Sequence, residues 1–301
     1  MRAVVTGGAG FIGSHVVDAL LARGDEVHVL DDLSNGKREN VAGGATFHHG
    51  DVRAPDEAFD AARPELVFHL AAQASVSVAV ERPELDAEVN VIGTVRVLEA
   101  ARRHGAQVVF SSTGGAIYGE CDGPAPEDSP RRPLSPYGTS KLAGEEYLAT
   151  WNRLHGSSHI ALRYGNVFGP RQDPHGEAGV VAIFLRRVAA GETPTIFGDG
   201  TQQRDYVYVA DVVRATLAAG GHDGGIYNVG RGSPTSVLDL VDGMRRASGV
   251  DFEVEHAPER LGDLRRSVLD ATRAERELGW RPETSLDDGL RLTWEYFAAA
   301  P

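Results

Sequence analysis

The sequence predicts an α/β fold, a doubly wound parallel sheet carrying a smaller C-terminal lobe. Three observations predict it. First, an apolar, β-branched run over 2–6 opens into Gly7-Gly8-Ala9-Gly10-Phe11-Ile12-Gly13, followed by an amphipathic pattern through Val16, Val17, Leu20 and Leu21. This reads as strand, tight turn and helix. Second, strand-like runs recur at 25–31, 45–49, 66–70, 107–111 and 158–164 with helical patterns between them. Such alternation builds a parallel sheet. Third, beyond residue 169 the alternation fades into short segments punctuated by Gly and Pro. Residues 1–165 therefore read as the sheet domain and 166–301 as the lobe, with room for some lobe segments to return to the sheet.

Of the 301 residues, 42% are hydrophobic and 24% charged, ordinary for a soluble globular enzyme. A formal charge of −13 argues against a nucleic-acid partner, because phosphate backbones are held by basic surfaces. Cys121 is the sole cysteine, so no disulfide framework or multi-thiolate metal site is expected. The histidines show no metal-ligand spacing on an evident helix, and no metal is expected. No apolar run approaches the ~20 residues of a membrane span, and no basic and apolar leader precedes Val4, so a cytoplasmic protein without membrane contact is expected.

The first turn has a specific chemical use. Glycines without Cβ atoms let backbone N–H groups approach a pyrophosphate, and the helix N-terminus faces its charge. The second strand ends in Asp31, roughly 20 residues on, where a ribose-binding carboxylate is expected. An acid there repels a 2′-phosphate and favours NAD over NADP; Lys37 and Arg38 nearby pull the other way. Asp32 is either an alternative ribose ligand or a turn residue. Beyond the carboxyl ends of later strands come Asp51-Val52, Ala71-Ala72-Gln73 and Ser111-Ser112-Thr113-Gly114-Gly115, which together line one sheet edge. A long helix is expected over 85–104. Asn90, a polar intruder in it, has two readings, a bond to loop backbone or to cofactor.

Ser135-Pro136-Tyr137-Gly138-Thr139-Ser140-Lys141 opens another helix, expected to run to about residue 155. Tyrosine and lysine four apart lie one turn apart on the same face. A phenol with a pKa near ~10 is a poor base at neutral pH, and a neighbouring ammonium is expected to lower that value.

The combination of Thr6-Gly7-x-x-Gly10-x-x-Gly13, Asp31, Ser112-Thr113, Tyr137-x-x-x-Lys141 and Arg163-Tyr164-x-Asn166-x-x-Gly169-Pro170 resembles the extended short-chain dehydrogenase/reductases, whose first domain is a Rossmann fold. More narrowly it looks like the UDP-glucose (UDP-galactose) 4-epimerases. The likeness extends through Phe197-Gly-Asp-Gly200, Arg204-Asp205-Tyr206 and Arg260-Leu-Gly-Asp263. In that family NAD oxidises C4 of the sugar while the tyrosine takes the hydroxyl proton, the keto sugar turns over, and reduction from the opposite face completes an isomerisation with no net redox. The resemblance implies Tyr137 as base, Lys141 as its electrostatic partner and Thr113 at the reacting oxygen. It implies cofactor contacts at Gly7, Gly10, Phe11, Ile12, Gly13, Asp31, Asp32, Leu33, Ser34, Asn35, Gly36, Asp51, Val52, Leu70, Ala71, Ala72, Gln73, Asn90, Ser111, Tyr137, Lys141, Tyr164 and Gly165. For the UDP-sugar it implies Arg204 and Arg260 on the diphosphate, Asp263 on a ribose hydroxyl, Asn166, Val180, Thr195 and Phe197 around sugar and uracil, and Ser112 beside Thr113. A homodimer through the helices of 85–104 and 136–155 is also implied; the apolar Leu148 and Trp151 are equally compatible with that contact and with packing on the sheet.

Two departures stand out. The segment before Tyr118-Gly119 is one residue longer than the commonest epimerase version: counting forward from Phe110 selects Thr113 and counting back from Tyr118 lands on Gly114, which has no hydroxyl, so Thr113 is expected as the catalytic hydroxyl with Ser112 next. Where some epimerases carry a bulky tyrosine four residues beyond Asp263, this chain has Ser267, which leaves room for an N-acetyl group on UDP-GlcNAc or UDP-GalNAc. Related 4,6-dehydratases carry an Asp-Glu pair where this chain has Gly114-Gly115, which disfavours dehydration. Asp173 disfavours a uronate by like charge, although His175 or Arg186 could serve one, so a UDP-glucuronate 4-epimerase is the second expectation. A non-catalytic NAD-binding sensor is the third; it would not need the complete Thr113, Tyr137 and Lys141 set.

Overall fold

Strand β1 (Arg2–Thr6) shows why the run is continuously apolar: Ala3 and Val5 join a core on one face of the sheet and Val4 a second core on the other. A parallel sheet covered on both faces needs this pattern. The computed structural model describes residues 1–175, 179–259 and 264–299. In it β1 pairs with β2 (Glu26–Asp31) and β4 (Leu66–His69), β2 with β3 (Thr46–His49), and β4 with β5 (Gln107–Thr113), which pairs in turn with β6 (Ile160–Tyr164). The seventh strand, Gly225–Val229, comes from beyond residue 166 and closes the sheet beside β6; all pairings are parallel.

Helix α1 (Phe11–Ala22) buries Val16, Val17 and Leu20 on one face. On the other lie α2 (Asp56–Ala62) and α5 (Gly93–His104), the latter through Val97, Leu98, Ala100 and Ala101. The single helix expected over 85–104 is instead three joined pieces. After α3 (Val76–Glu81), α4 (Pro83–Ala87) passes through a π-turn at Glu88–Ile92 before α5 begins. Such turns re-aim side chains and concentrate at functional sites; here the turn contains Asn90. Helix α6 (Gly114–Ile117) is one turn, and α7 (Pro136–His155) starts with Pro136 in its first turn and the Ser135 hydroxyl accepting from the Gly138 N–H. Leu148 packs into the core beneath α7 with Trp151 against it, the sheet-packing reading of the two.

In the lobe, Gln203–Tyr208 pairs with Asn166–Phe168, Pro234–Ser236 and Arg266–Ser267, while Thr195–Phe197 pairs with Glu255–Ala257. Trp280 donates to the Asp211 carbonyl and ties the C-terminal segments to the helix Val209–Ala219. Among the described residues, no helix is long and apolar enough to cross a membrane.

Candidate active site

The glycine turn is built for an anion. Gly7 has φ +71°, and a Cβ there would lie 2.6 Å from the Ala71 nitrogen; at Gly13 it would meet the Gly7 carbonyl oxygen at 2.1 Å. These two glycines let turn, helix and strand pack closely. A Cβ at Gly10 would meet only the Gly7 carbonyl oxygen, at 3.2 Å, so this position is otherwise open. Helix α1 begins at Gly10 with no side-chain cap and no acid in its first turn, leaving the positive end of the helix for a ligand. Asp31 accepts from the Ala9 and Leu33 N–H groups, both at 2.9 Å, and burial pushes its carboxyl above the usual range. Asp32 instead closes a turn, accepting from the Ser34 N–H at 2.9 Å and hydroxyl at 2.6 Å. Arg38 lies over the Phe47 ring, whereas Lys37 lines the cleft.

That cleft, about 1220 Å³, runs along the carboxyl ends of the strands. Gly7, Gly10, Phe11, Ile12, Gly13, Asp31, Asp32, Ser34, Asn35, Gly36, Asp51, Val52, Leu70, Ala71, Ala72, Gln73, Ser111, Ser112, Thr113, Tyr137, Lys141, Tyr164 and Gly165 all stand on its wall. Leu33 does not: its N–H serves Asp31. Nor does Asn90, whose side chain bonds the loop after β4. Its amide oxygen accepts from the Gln73 N–H at 2.9 Å, and its NH₂ donates to the Gln73 carbonyl and to Asp86, both at 2.9 Å.

Val180, Thr195, Phe197, Arg204 and Ser267 lie off this wall, in the lobe. Val180 starts a helix next to wall residue Gly179; Thr195 accepts from Arg187; Phe197 and Arg204 sit on the two small sheets, with Ser267 the register partner of Arg204. Arg260 and Asp263 fall outside the described residues. Asn166 approaches Thr113 from the side: a Cβ on Gly115 would lie 3.4 Å from its Oδ1 and 3.9 Å from the Thr113 hydroxyl. A Cβ on Gly114 would lie 2.5 Å from the Leu269 methyls, so an acid at Gly114 would have to displace that side chain. Sequence reasoning missed wall residues Arg53, Arg82 and Tyr296, which belong to no motif.

The two candidate hydroxyls, Thr113 and Ser112, are separated by strand alternation. Both residues line the cleft, but the buried Ser112 hydroxyl is committed to Glu145, donating at 2.5 Å, while Thr113 stays half-buried. Glu145 in turn holds Arg163 in a bidentate pair at 2.9 and 2.6 Å, and Arg163 also donates to the Tyr118 hydroxyl at 2.7 Å. Lys141 Nζ donates to the Ser111 carbonyl at 2.9 Å and lies 6.0 Å from the Tyr137 ring centre. Burial pushes the Tyr137 hydroxyl up to about 12, with the Asp86 charge adding to the rise. Burial also brings Lys141 down to about 8, and Asp86 opposes that fall. The expected lowering of the tyrosine by its lysine is therefore absent from the protein alone, because desolvation of the phenolate outweighs the attraction. Behind β4 a directed chain of bonds keeps the loop in place. Thr6 bonds His69 Nδ1 at 2.7 Å, His69 Nε2 bonds Thr94 at 3.1 Å, and Thr94 donates to the Asn90 carbonyl at 2.7 Å.

Residues 3–230 match the NAD dependent epimerase/dehydratase family. The chain belongs to this family. It is 50% identical to the UDP-glucose 4-epimerase of Mycolicibacterium smegmatis, with 99% of this chain and 98% of that protein covered. The crystal structure of the Thermus thermophilus UDP-glucose 4-epimerase complex with NAD matches at TM-score 0.96 and 50% identity over 100% of both chains. The Thermotoga maritima UDP-glucose 4-epimerase with UDP-glucose matches at TM-score 0.96 and 50% identity, over 99% and 98%. For an NAD dependent epimerase/dehydratase the open Gly10, uncapped α1 and buried Asp31 are the fitting donor set. The turn leaves space and N–H groups for a pyrophosphate, and the carboxylate suits a ribose diol.

Proposed function

We propose that the protein is an NAD-dependent 4-epimerase that interconverts UDP-glucose and UDP-galactose. The observation that carries this reading is the opening of Thr113, Tyr137 and Lys141 onto the same cleft as the glycine turn and Asp31. Gly10, the first turn of α1 and Asp31 would hold the cofactor. NAD, when bound, supplies the reversible oxidation at C4 and a positive charge that favours a phenolate. Tyr137 takes the proton from the sugar 4-hydroxyl onto its phenol oxygen and later returns it. Thr113 bonds the same sugar oxygen, and Lys141, fixed by the Ser111 carbonyl, keeps a cation beside the phenol. Arg204 and Arg260 take the diphosphate, where a planar guanidinium matches phosphate oxygens, Asp263 a ribose hydroxyl, and Asn166, Val180, Thr195 and Phe197 the sugar and uracil side.

Proton NMR of the purified protein with UDP-glucose and no added cofactor tests this. An equilibrium mixture with UDP-galactose is expected; no turnover even with NAD supplied would remove the substrate assignment. Ser267 is buried and small, which supports acceptance of UDP-GlcNAc. Ser267→Tyr should abolish turnover of the N-acetyl sugar and spare UDP-glucose; equal loss or equal retention of both would put the gate elsewhere.

We also propose a cytoplasmic homodimer. Val80, Ile92 and Leu154, at 62%, 50% and 69% exposure, present apolar side chains from α3, the π-turn and α7, as a two-fold helix contact requires.

A further inference from the structure

Asp86 is a completely buried carboxylate on α4, and among the described residues it accepts only from neutral donors. Its Oδ1 takes the Gln73 amide at 3.0 Å and the Asn90 amide at 2.9 Å, while Oδ2 takes the Ser140 hydroxyl. Ser140 stands on α7 immediately before Lys141, whose own buried ammonium is hydrogen-bonded to a neutral carbonyl, that of Ser111. Among the described residues, then, a buried anion without a bonded cation is bonded to Ser140, and a buried cation without a bonded anion is the next residue along the chain. Each alone is costly to bury.

We infer that Asp86 is a positioning residue for proton transfer: its charge, held by Gln73, Asn90 and Ser140, keeps Lys141 an ammonium and sets the proton affinity of Tyr137. The inference rests on the proposed roles of Tyr137 and Lys141. The groups facing that pair sort cleanly. Across it stands Asp86 from α4. From β4 comes His69, which its own burial and then the Lys141 charge keep neutral. One turn along α7 Glu145 is committed to Arg163. Asp86 is the free anion of the set, and its field acts in the same direction on both groups, raising lysine and tyrosine alike. Its hydrogen bonds give it a second effect, because Gln73 and Asn90 fix the loop after β4 that walls the cleft.

The chain has two lysines, exposed Lys37 and buried Lys141. Protein labelled with ¹³C at the lysine ε-carbon therefore gives two signals, assigned with Lys141→Met, and needs no substrate to be read. In Asp86→Asn the Lys141 midpoint should fall by roughly one pH unit while Lys37 does not move. Asp86→Ser, which leaves space for a water if the amide is not accommodated, removes the same charge and should give the same fall. In turnover, the acid limb of kcat should move to lower pH with KM for UDP-glucose unchanged. A Lys141 midpoint equal to wild type in either folded variant would overturn the inference, and the role of Asp86 would reduce to its hydrogen bonds. If the midpoint falls but no UDP-hexose is turned over by the wild type, the functional reading fails and the charge coupling stands.

Discussion

Helix α7 faces two buried ionic arrangements that solve the same problem in opposite ways. On the side of β6, Glu145 and Arg163 meet in a bidentate pair at 1% exposure each, with Ser112 and Tyr118 taking up remaining bonding capacity. On the side of α4, Asp86 and Lys141 are bonded to neutral partners instead of each other, Asp86 to Ser140 and Lys141 to the Ser111 carbonyl. The first arrangement neutralises itself and can only hold the sheet and helix together. The second leaves both charges free to act on a third group, and that group is Tyr137. Closed pairing makes a scaffold; open pairing makes a site.

Perturbing each in turn should break this contrast if it is wrong. The largest effect belongs to Tyr137→Phe. Loss of a positioned acid–base group should lower kcat by roughly 10²–10⁴-fold while NAD binding, followed by the bound nucleotide after denaturation, is retained. Persistent activity would take the phenol out of the mechanism. Next comes Glu145→Gln, which leaves Arg163 buried with half its pairing gone. Removing one partner of a buried pair costs about 3–5 kcal/mol, so the denaturant midpoint should drop sharply, with the pH dependence of kcat in place. A shift of that dependence would mean that the closed pair also tunes the site.

The two adjacent hydroxyls sharpen the same comparison on a smaller scale. Thr113→Val removes a bond to the reacting oxygen, and at about 1.5–3 kcal/mol for a bond to a charged group it should cost roughly tenfold to a hundredfold in kcat. Ser112→Ala removes a bond to Glu145 and should lower stability by about 1 kcal/mol with kcat nearly unchanged. The reverse outcome would assign the catalytic hydroxyl to Ser112.

Most of the nucleotide half was legible because its constraints are local. Gly7, Gly10 and Gly13 answer to one turn, Asp31 to one strand end, and Tyr137-x-x-x-Lys141 to one helical turn. Ser112 against Thr113 could not be resolved by counting, since the answer lies in which face of β5 meets Glu145, a residue 33 positions away. The rise in Tyr137 was likewise hidden: spacing shows that a lysine is near, but not how much water folding removes or that Asp86 faces the pair. In the lobe, Thr195, Phe197 and Arg204 belong to short strands whose partners are distant in sequence, and motif position alone did not place them relative to the cleft.

The smallest effect concerns His69, which sits behind the loop that Asn90 holds. Its folded value, about 3, lies below the ordinary 6.5 because burial disfavours the imidazolium and the Lys141 charge repels it. Below pH 6.5 the unfolded chain binds a proton that the folded chain refuses, so stability from this group is present above that value and is lost progressively as pH falls toward the folded one. Burial lowers His159 too, to about 4, so the wild type should lose stability on acidification through both, at up to ~1.4 kcal/mol per pH unit for each group. Asn at position 69 can still accept from Thr6 or donate to Thr94, and it does not titrate. His69→Asn should therefore start less stable at pH 7 and show a shallower decline between pH 6.5 and 4, measured as denaturant midpoints. Parallel curves would mean that His69 already carries its proton in the folded protein, and the bond to Thr6 would then run with Nδ1 as donor rather than acceptor.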